Sequence, residues 1–168
     1  VDDVAKLEVR DPSRLAVLTQ TTLSVDDTRD VLEALQRRFP EIALPKKDDI
    51  CYATQNRQNA VRELAREVDL VLVVGAPASS NSNRLVELAW KSGLPAHLVE
   101  SAADIDPAWL EGVRTVGLTA GASAPEVLVE EVIGRLRALR PDAFAVDSLP
   151  PVDEGMVFQL PFELRQAP

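Results

Sequence analysis

Apolar residues in this chain occur in short continuous runs and in longer segments where they recur every three or four positions. The clearest run is DLVLVVG at 69–75, which is typical of a β-strand covered on both faces. AHLV at 96–99 and RTVGLT at 114–119 predict two further strands, and LAVL at 15–18 predicts another. MVFQLP at 156–161 is a strand-like piece in a proline-containing tail.

The segments between these runs have the apolar spacing of helices. One helix is predicted after Ser24, its expected cap, with two aspartates in the first turn, where carboxylates complement the helix dipole. Others are predicted at 52–68, at 84–93, ending at Gly93, and at 125–140, where a proline suits the first turn. Because strand, polar loop and helix recur in that order, the sequence predicts an α/β fold with parallel strands.

The charge of the chain restricts its partners. The 168 residues carry a formal net charge of -9, and no cluster of Lys and Arg is longer than a pair. Duplex nucleic acid and anionic membranes are therefore not expected as partners. The chain has no apolar run of membrane-spanning length and no signal peptide at its start, and its one cysteine allows no intrachain disulfide, so we expect a cytoplasmic protein.

Three predicted strand-to-helix loops share one chemistry. TQTTLS at 19–24, ASSNSN at 78–83 and TAGASAP at 119–125 place hydroxyls, amides or glycine where a strand ends and a helix begins. Side-chain donors and free helix N–H groups then point the same way, which predicts an anion site beyond the carboxyl ends of the strands. The alternative is helix capping, which we favour for Ser24; five consecutive polar residues at 79–83 favour a ligand.

Cys51, the single cysteine, has three alternative interpretations. A free cysteine is often a small buried apolar residue, although the charged residues before it disfavour burial. Cys51 and Arg57 have the Cys-x5-Arg spacing of a thiolate phosphatase loop, but that loop has no glycine here and follows two aspartates. A metal ligand is the third interpretation. Zinc or an iron-sulfur cluster needs further ligands, and His97, the only histidine, is expected to be a half-buried structural residue.

Four long motifs carry a family resemblance. They are TQTTLSVDDT (19–28), KKDDICYATQNRQ (46–58), VVGAPASSNSNRLVELA (73–89) and VGLTAGASAPEVLVEEVI (116–133). In this order and at these separations they closely resemble the C-terminal half of the 4-hydroxy-3-methylbut-2-enyl diphosphate reductases. The resemblance extends over essentially the whole chain, which makes it highly specific.

The resemblance implies an oxidoreductase of the methylerythritol phosphate route to isoprenoids, which converts this allylic diphosphate to isopentenyl and dimethylallyl diphosphates. Family members hold a [4Fe-4S] cluster with one cysteine from each of three α/β domains, and Cys51 matches the third ligand. Thr21 matches a residue near the hydroxymethyl end of the substrate. The residues that match diphosphate binders are Ser79, Ser80, Asn81 and Ser123.

The resemblance also implies that half of the enzyme is missing. The other two cysteines, the substrate-binding histidines and the proton-donating glutamate of the family have no counterpart here, so we expect a fragment that is inactive alone, without a catalytic residue of its own. It would comprise the end of a second α/β domain (1–45), a third α/β domain (46–140) and a C-terminal tail (141–168). Expected partners are the N-terminal half and a ferredoxin or flavodoxin. The alternative function is a non-catalytic anion or phosphosugar-binding α/β module.

Overall fold

The computed structural model describes residues 1–45, 49–141 and 145–150. Its helices and strands, in chain order, are α1 (Val25–Arg38), α2 (Tyr52–Leu64), β1 (Leu70–Val74), α3 (Ser80–Lys91), β2 (Ala96–Val99), β3 (Val116–Ala120) and α4 (Glu126–Leu139). Short 3-10 helices occur at Asp2–Lys6, Pro12–Arg14, Ala102–Asp104 and Pro107–Leu110.

The three strands form a parallel sheet in the order β2-β1-β3. Every residue of the central strand β1 is buried, as its continuous apolar run predicts. Val71 and Val73 pack in one core with α2 and α3, whereas Leu70, Leu72 and Val74 pack in a second core with α4. Helices therefore cover both faces of the sheet, and the predicted α/β fold class is confirmed.

The strand predicted at 15–18 is wrong. In the described part of the chain this segment forms a single isolated parallel bridge, between Ala16 and Ala43. The N–H of Val17 donates to the carbonyl of Ala43, but Leu18 is 85% exposed. An apolar run becomes a regular strand only when neighbouring backbone satisfies its hydrogen bonds along its length. The strand-like piece predicted at 156–161 lies outside the described residues.

The helix boundaries show the effect of local capping. The Ser24 hydroxyl accepts from the Asp27 N–H at 3.2 Å, which confirms the predicted cap of α1. Helix α3 begins at Ser80, earlier than the predicted residue 84, because Ser79 caps it. Gly93 has a φ of +83°, the left-handed conformation expected after a helix end.

Ion pairs connect helix α1 to α2 and α3, and Ala34 is the only buried residue of α1 in the described structure. The carboxylate of Asp26 pairs with Arg62 of α2 at 2.6 Å. The carboxylate of Asp27 pairs with Lys91 of α3 at 2.7 Å. The contact of α1 with α2 and α3 is therefore expected to depend on pH.

The Asp27–Lys91 pair predicts a pH dependence of stability. The hydrogen bond from Lys91 is the main cause that lowers the pKa of Asp27, and partial burial of the carboxyl opposes it. A lowered folded-state pKa means that the pair stabilises the fold above the unfolded value of 3.8 and that this contribution is lost as the pH falls through the folded-state pKa. Because Asp27 is half exposed, solvent screening limits the effect to below about 1 kcal/mol.

Urea unfolding of the wild type and Lys91→Met across this acidic range measures the effect. We expect the variant to be less stable near neutral pH and to approach the wild type at the acidic end. Lys6→Met is the matched control because it removes an exposed pair to Asp3 within one turn. A constant difference between wild type and Lys91→Met at every pH would contradict the prediction.

Candidate functional site

Two of the three polar loops meet at the carboxyl ends of neighbouring strands. Val74, the last residue of β1, pairs with Ala120, the last residue of β3. Directly beyond this pair, the Gly121 N–H donates to the Val74 carbonyl at 2.9 Å. The chain after β1 therefore enters α3 beside the chain that leaves β3, as the parallel topology predicts.

Ser82, which the sequence did not single out as a site residue, lies between the two strand ends. It is 1% exposed, and its hydroxyl contacts that of Ser79 at 3.0 Å. A Cβ added at either Gly75 or Gly121 would lie 2.2 Å from the Ser82 Oγ. Glycine at both strand ends therefore lets the first turn of α3 approach the sheet edge more closely than any side chain would allow.

Asn81 is buried beside these glycines without a partner. It is 6% exposed, and neither its Nδ2 nor its Oδ1 has a hydrogen bond within the described residues. The Nδ2 lies near Gly121, 3.7 Å from the position of an added Cβ. Burial of an unsatisfied amide costs roughly 1–3 kcal/mol, and such groups call for a specific explanation. A bound polar ligand would remove that cost.

The other predicted anion-binding residues differ in exposure and contacts. Ser79 caps α3, so its Oγ accepts from the Ser82 N–H at 3.3 Å. Ser80 and Ser123 are exposed. Ser123 also lines a pocket of about 160 Å³ that Glu100 borders from the end of β2. Because a carboxylate repels an anion, the side of the site nearest Asn81 suits a negative ligand better than the Glu100 side.

Cys51 is exposed at the start of α2, which excludes the buried apolar interpretation. Its backbone N–H donates to the Thr21 carbonyl at 3.0 Å, so the loop at 19–24 lies against the start of α2. The Asp49 carboxylate accepts from the N–H of Thr19 at 2.9 Å and supports the same contact. Two of the predicted site residues, Cys51 and Thr21, are thus brought together.

Arg57 does not form a phosphatase loop with Cys51. Its Nη1 donates to the Ala53 carbonyl at 3.1 Å and its Nε donates to the Ala120 carbonyl at 3.2 Å. The guanidinium therefore contacts backbone at the end of β3. In a thiolate phosphatase loop the arginine would bind the phosphate beside the cysteine. The guanidinium of Arg57 is instead bonded to backbone carbonyls, so the Cys-x5-Arg spacing does not form such a loop here.

Gln58 is a positioning residue that the sequence did not reveal. Its side chain is fully buried, its Nε2 donates to the Leu23 carbonyl at 2.8 Å, and its Oε1 accepts from the Val25 N–H at 3.1 Å. These bonds hold the end of the 19–24 loop against α2. Its position in the sequence could have indicated that it is buried, because Gln58 is three residues before the buried Val61 and lies on the same helix face.

His97 has the structural role expected of it. Its ring is half-buried and stacks on Trp109, with the ring centroids 3.8 Å apart. Burial lowers the pKa of His97, and the nearby Asp106 opposes this. Within residues 1–45, 49–141 and 145–150, no group of three or more His, Cys, Asp or Glu side chains could hold a metal ion.

The motifs at these loops belong to a known family. A family model described as LytB protein matches residues 1–137. The chain belongs to the LytB protein family. Its resemblance to 4-hydroxy-3-methylbut-2-enyl diphosphate reductases is confirmed by a relative of that name from Marinobacter nauticus, which is 60% identical over 97% of this chain and 51% of its own length. A relative of the same name from Actinobacillus succinogenes is 57% identical over 98% of this chain and 52% of its own.

Two solved structures agree with the fold. The E-1-hydroxy-2-methyl-but-2-enyl-4-diphosphate reductase from Plasmodium falciparum matches with a TM-score of 0.78 and 32% identity, covering 90% of this chain and 50% of that one. The structure of an (E)-4-hydroxy-3-methyl-but-2-enyl diphosphate reductase, the terminal enzyme of the non-mevalonate pathway, matches with a TM-score of 0.51 and 31% identity, covering 75% of this chain and 44% of that one. The chain spans about half the length of the curated relatives it matches. None of the helices in its described part has the length and hydropathy to cross a membrane.

Proposed function

We propose that this chain is the C-terminal half of a reductase that converts 4-hydroxy-3-methylbut-2-enyl diphosphate to isopentenyl and dimethylallyl diphosphates in the methylerythritol phosphate pathway. Membership of the LytB family supports the reaction class. The structural observation that carries the proposal is Asn81, a buried amide without a partner among hydroxyl-bearing loops at the sheet edge. A diphosphate oxygen could accept a hydrogen bond from its Nδ2.

Diphosphate binding is the proposed role of the loops after β1 and β3. Asn81 donates from its amide, and the hydroxyls of Ser79, Ser80 and Ser123 donate around it. Neutral donors and the N-terminus of α3 suit a diphosphate in a chain whose net charge of -9 opposes anions in general. The diphosphate would then hold the substrate in one orientation, with its hydroxymethyl end directed away from these loops.

Cys51 is the proposed ligand from this chain to a [4Fe-4S] cluster. The donor set fits one of several thiolate ligands, because Cys51 is exposed and its side chain makes no capping hydrogen bond at the start of α2. When bound, the cluster supplies electrons and a Lewis-acidic iron to the reaction. The remaining ligands are proposed to come from the N-terminal half, so this chain alone would not hold the cluster.

Thr21 is proposed to orient the substrate end and to help relay protons near the cluster. Its side chain is exposed, and its carbonyl accepts the N–H of Cys51, which places the threonine loop beside the proposed cluster ligand. The proton donor itself is proposed to lie in the N-terminal half. The hydroxyl and the thiol would then approach the substrate from the same side of the sheet.

The domain organisation belongs to the same proposal. Residues 1–45 would complete a second α/β domain, residues 46–140 would form the third, and the tail at 141–168 would contact the first. A ferredoxin or flavodoxin would supply electrons. A thiolate-bound cluster and an unpaired cysteine suit the reducing cytoplasm, which is the proposed location.

Anaerobic reconstitution of the full-length parent polypeptide with iron and sulfide tests the function. We expect cluster absorption in the visible range and, with a chemical reductant, formation of both five-carbon diphosphates by chromatography. An intact cluster without product formation would contradict the reductase. The alternative, an anion or phosphosugar-binding module, predicts binding of inorganic pyrophosphate by a protein that takes up no cluster.

Asn81→Leu is expected to change stability and binding in opposite directions. Removing a buried, unpartnered amide stabilises the ligand-free protein by roughly 1–3 kcal/mol, because leucine has the same branched arrangement of side-chain heavy atoms and no polar atoms. The same change removes a proposed diphosphate donor, so the affinity for inorganic pyrophosphate should fall about tenfold or more. Urea unfolding and calorimetry of the full-length parent measure the two effects.

Asn83→Leu is the matched control, because Asn83 lies two residues along α3 and its Nδ2 already donates to the Pro77 carbonyl at 2.7 Å. That variant should lose stability and keep its affinity for pyrophosphate. If Asn81→Leu destabilised the protein and bound pyrophosphate normally, the Asn81 amide would have no binding role.

A further inference from the structure

Arg57 connects the helix that follows Cys51 to the loop that carries Ser123. Its Nη1 donates to the carbonyl of Ala53, in the first turn of α2, and its Nε donates to the carbonyl of Ala120, the last residue of β3. We propose that Arg57 is a positioning residue, which sets the Ser123 loop relative to the start of α2. This inference rests on the proposed function for its effect on substrate.

The peptide group that Arg57 contacts is held from both sides. The carbonyl of Ala120 accepts from Arg57, and the N–H of the same peptide group, that of Gly121, donates to the Val74 carbonyl. In the described sheet β3 is an edge strand, so its outward-facing carbonyls have no strand partner. Arg57 takes the place of that missing neighbour where the strand turns into the loop.

The position of this peptide group matters because its surroundings are tightly packed. Gly121 is buried, and an added Cβ would lie 2.2 Å from the Ser82 Oγ and 3.7 Å from the Asn81 Nδ2. A displacement of the 120–121 peptide would therefore move the Ser123 loop and alter the space around Asn81. Misplacement of a binding group by about 1 Å can reduce a rate by about 100-fold.

The chemistry of arginine suits this connection. A guanidinium donates from several nitrogens held rigidly in one plane. Arg57 can therefore bond to two carbonyls on separate elements without a rotatable bond between the two donor atoms. A lysine ammonium carries the same charge as a single point and lacks that fixed geometry. Replacement of Arg57 by lysine therefore keeps the positive charge and removes the planar donor geometry, which separates the two contributions.

The test compares Arg57→Met with the wild type in the reconstituted full-length parent. We expect unchanged iron content, since Cys51 is retained, and a KM for the allylic diphosphate raised about tenfold with a smaller change in kcat. The dissociation constant for inorganic pyrophosphate should rise by a similar factor. Hydrogen exchange of the peptide covering 119–125 should become faster, because the 120–121 peptide loses one of its two restraints.

Arg62→Met is the matched control. Arg62 lies on the same helix and carries the same charge, but it pairs with Asp26 and makes no described contact with β3. This control should leave the KM and the exchange at 119–125 unchanged. If the two variants changed the KM and the exchange at 119–125 equally, the effect would come from the loss of a positive charge in general, and the proposal would be overturned.

Arg57→Lys gives a second comparison if the methionine variant does not fold. Its KM and its exchange rate at 119–125 should lie between those of the wild type and those expected for a neutral variant. Wild-type values with lysine would overturn a role based on geometry. If the wild-type parent formed no cluster or bound no pyrophosphate, the proposed function would fail. Exchange at 119–125 would still decide whether Arg57 positions the loop, and unchanged exchange in Arg57→Met would overturn that role.

Discussion

Replacement of Cys51 by serine in the full-length parent is expected to abolish the cluster and the reductase activity, without loss of the fold. The thiol is exposed and makes no capping hydrogen bond, so the described structure does not depend on it. Serine is a preferred N-cap residue and should stabilise α2 by about 0.5–1 kcal/mol. The variant would therefore be slightly more stable as apoprotein and would lose nearly all activity.

Iron and sulfide content, visible absorption and product formation measure the loss of the cluster and of activity. Thermal unfolding of the apoprotein measures the change in stability. Ser80→Ala is a useful comparison, because it alters a proposed diphosphate donor and should retain the cluster. A Cys51→Ser protein with wild-type iron content and activity would show that this cysteine is not a ligand. The opposite signs of the two effects distinguish lost ligation from simple unfolding.

Gly75→Ala is expected to cause the largest loss of stability among the changes considered. The new Cβ would lie 2.2 Å from the Oγ and 2.7 Å from the Cβ of Ser82, and the Cβ of a buried helix residue cannot move without moving the helix. Overpacking of this kind typically costs about 1–3 kcal/mol. The backbone of Gly75 does not have a positive φ, so the expected cost is steric.

Gly134→Ala is the matched control, because it is the same change in an exposed position within α4 where an added Cβ meets nothing within 4 Å. Alanine there should stabilise the protein by roughly 0.5–1 kcal/mol through a higher helix propensity. Urea unfolding of the two variants should therefore give shifts of opposite sign. Equal shifts would mean that α3 and the end of β1 do not make the close contact described.

Much of the sheet and of its flanking helices could be predicted from local sequence. The continuous apolar run of β1 and the helical spacing of α3 identify buried elements, because the periodicity of side-chain burial differs between strands and helices. The Ser24 cap and the left-handed Gly93 are equally local, since each depends on a few neighbouring residues. The family motifs also identified the loops that the structure brings to one edge.

The strand at 15–18 shows the limit of such prediction. Its apolar run is as suitable for a strand as that of β2, yet in the described structure it forms one bridge to Ala43. A strand depends on the backbone of its neighbours, and residue pattern alone does not supply those neighbours. Local propensity was therefore insufficient there.

The sequence by itself determined the α/β architecture, the Ser24 cap of α1 and the residue types of the candidate site. Only the tertiary structure decided that Ser82 lies against Gly75 and Gly121, that Asn81 is buried without a partner, and that Arg57 contacts the end of β3. These are contacts between elements far apart in the chain. Periodicity encodes which face of an element is buried, whereas the atoms that meet there depend on how the elements pack.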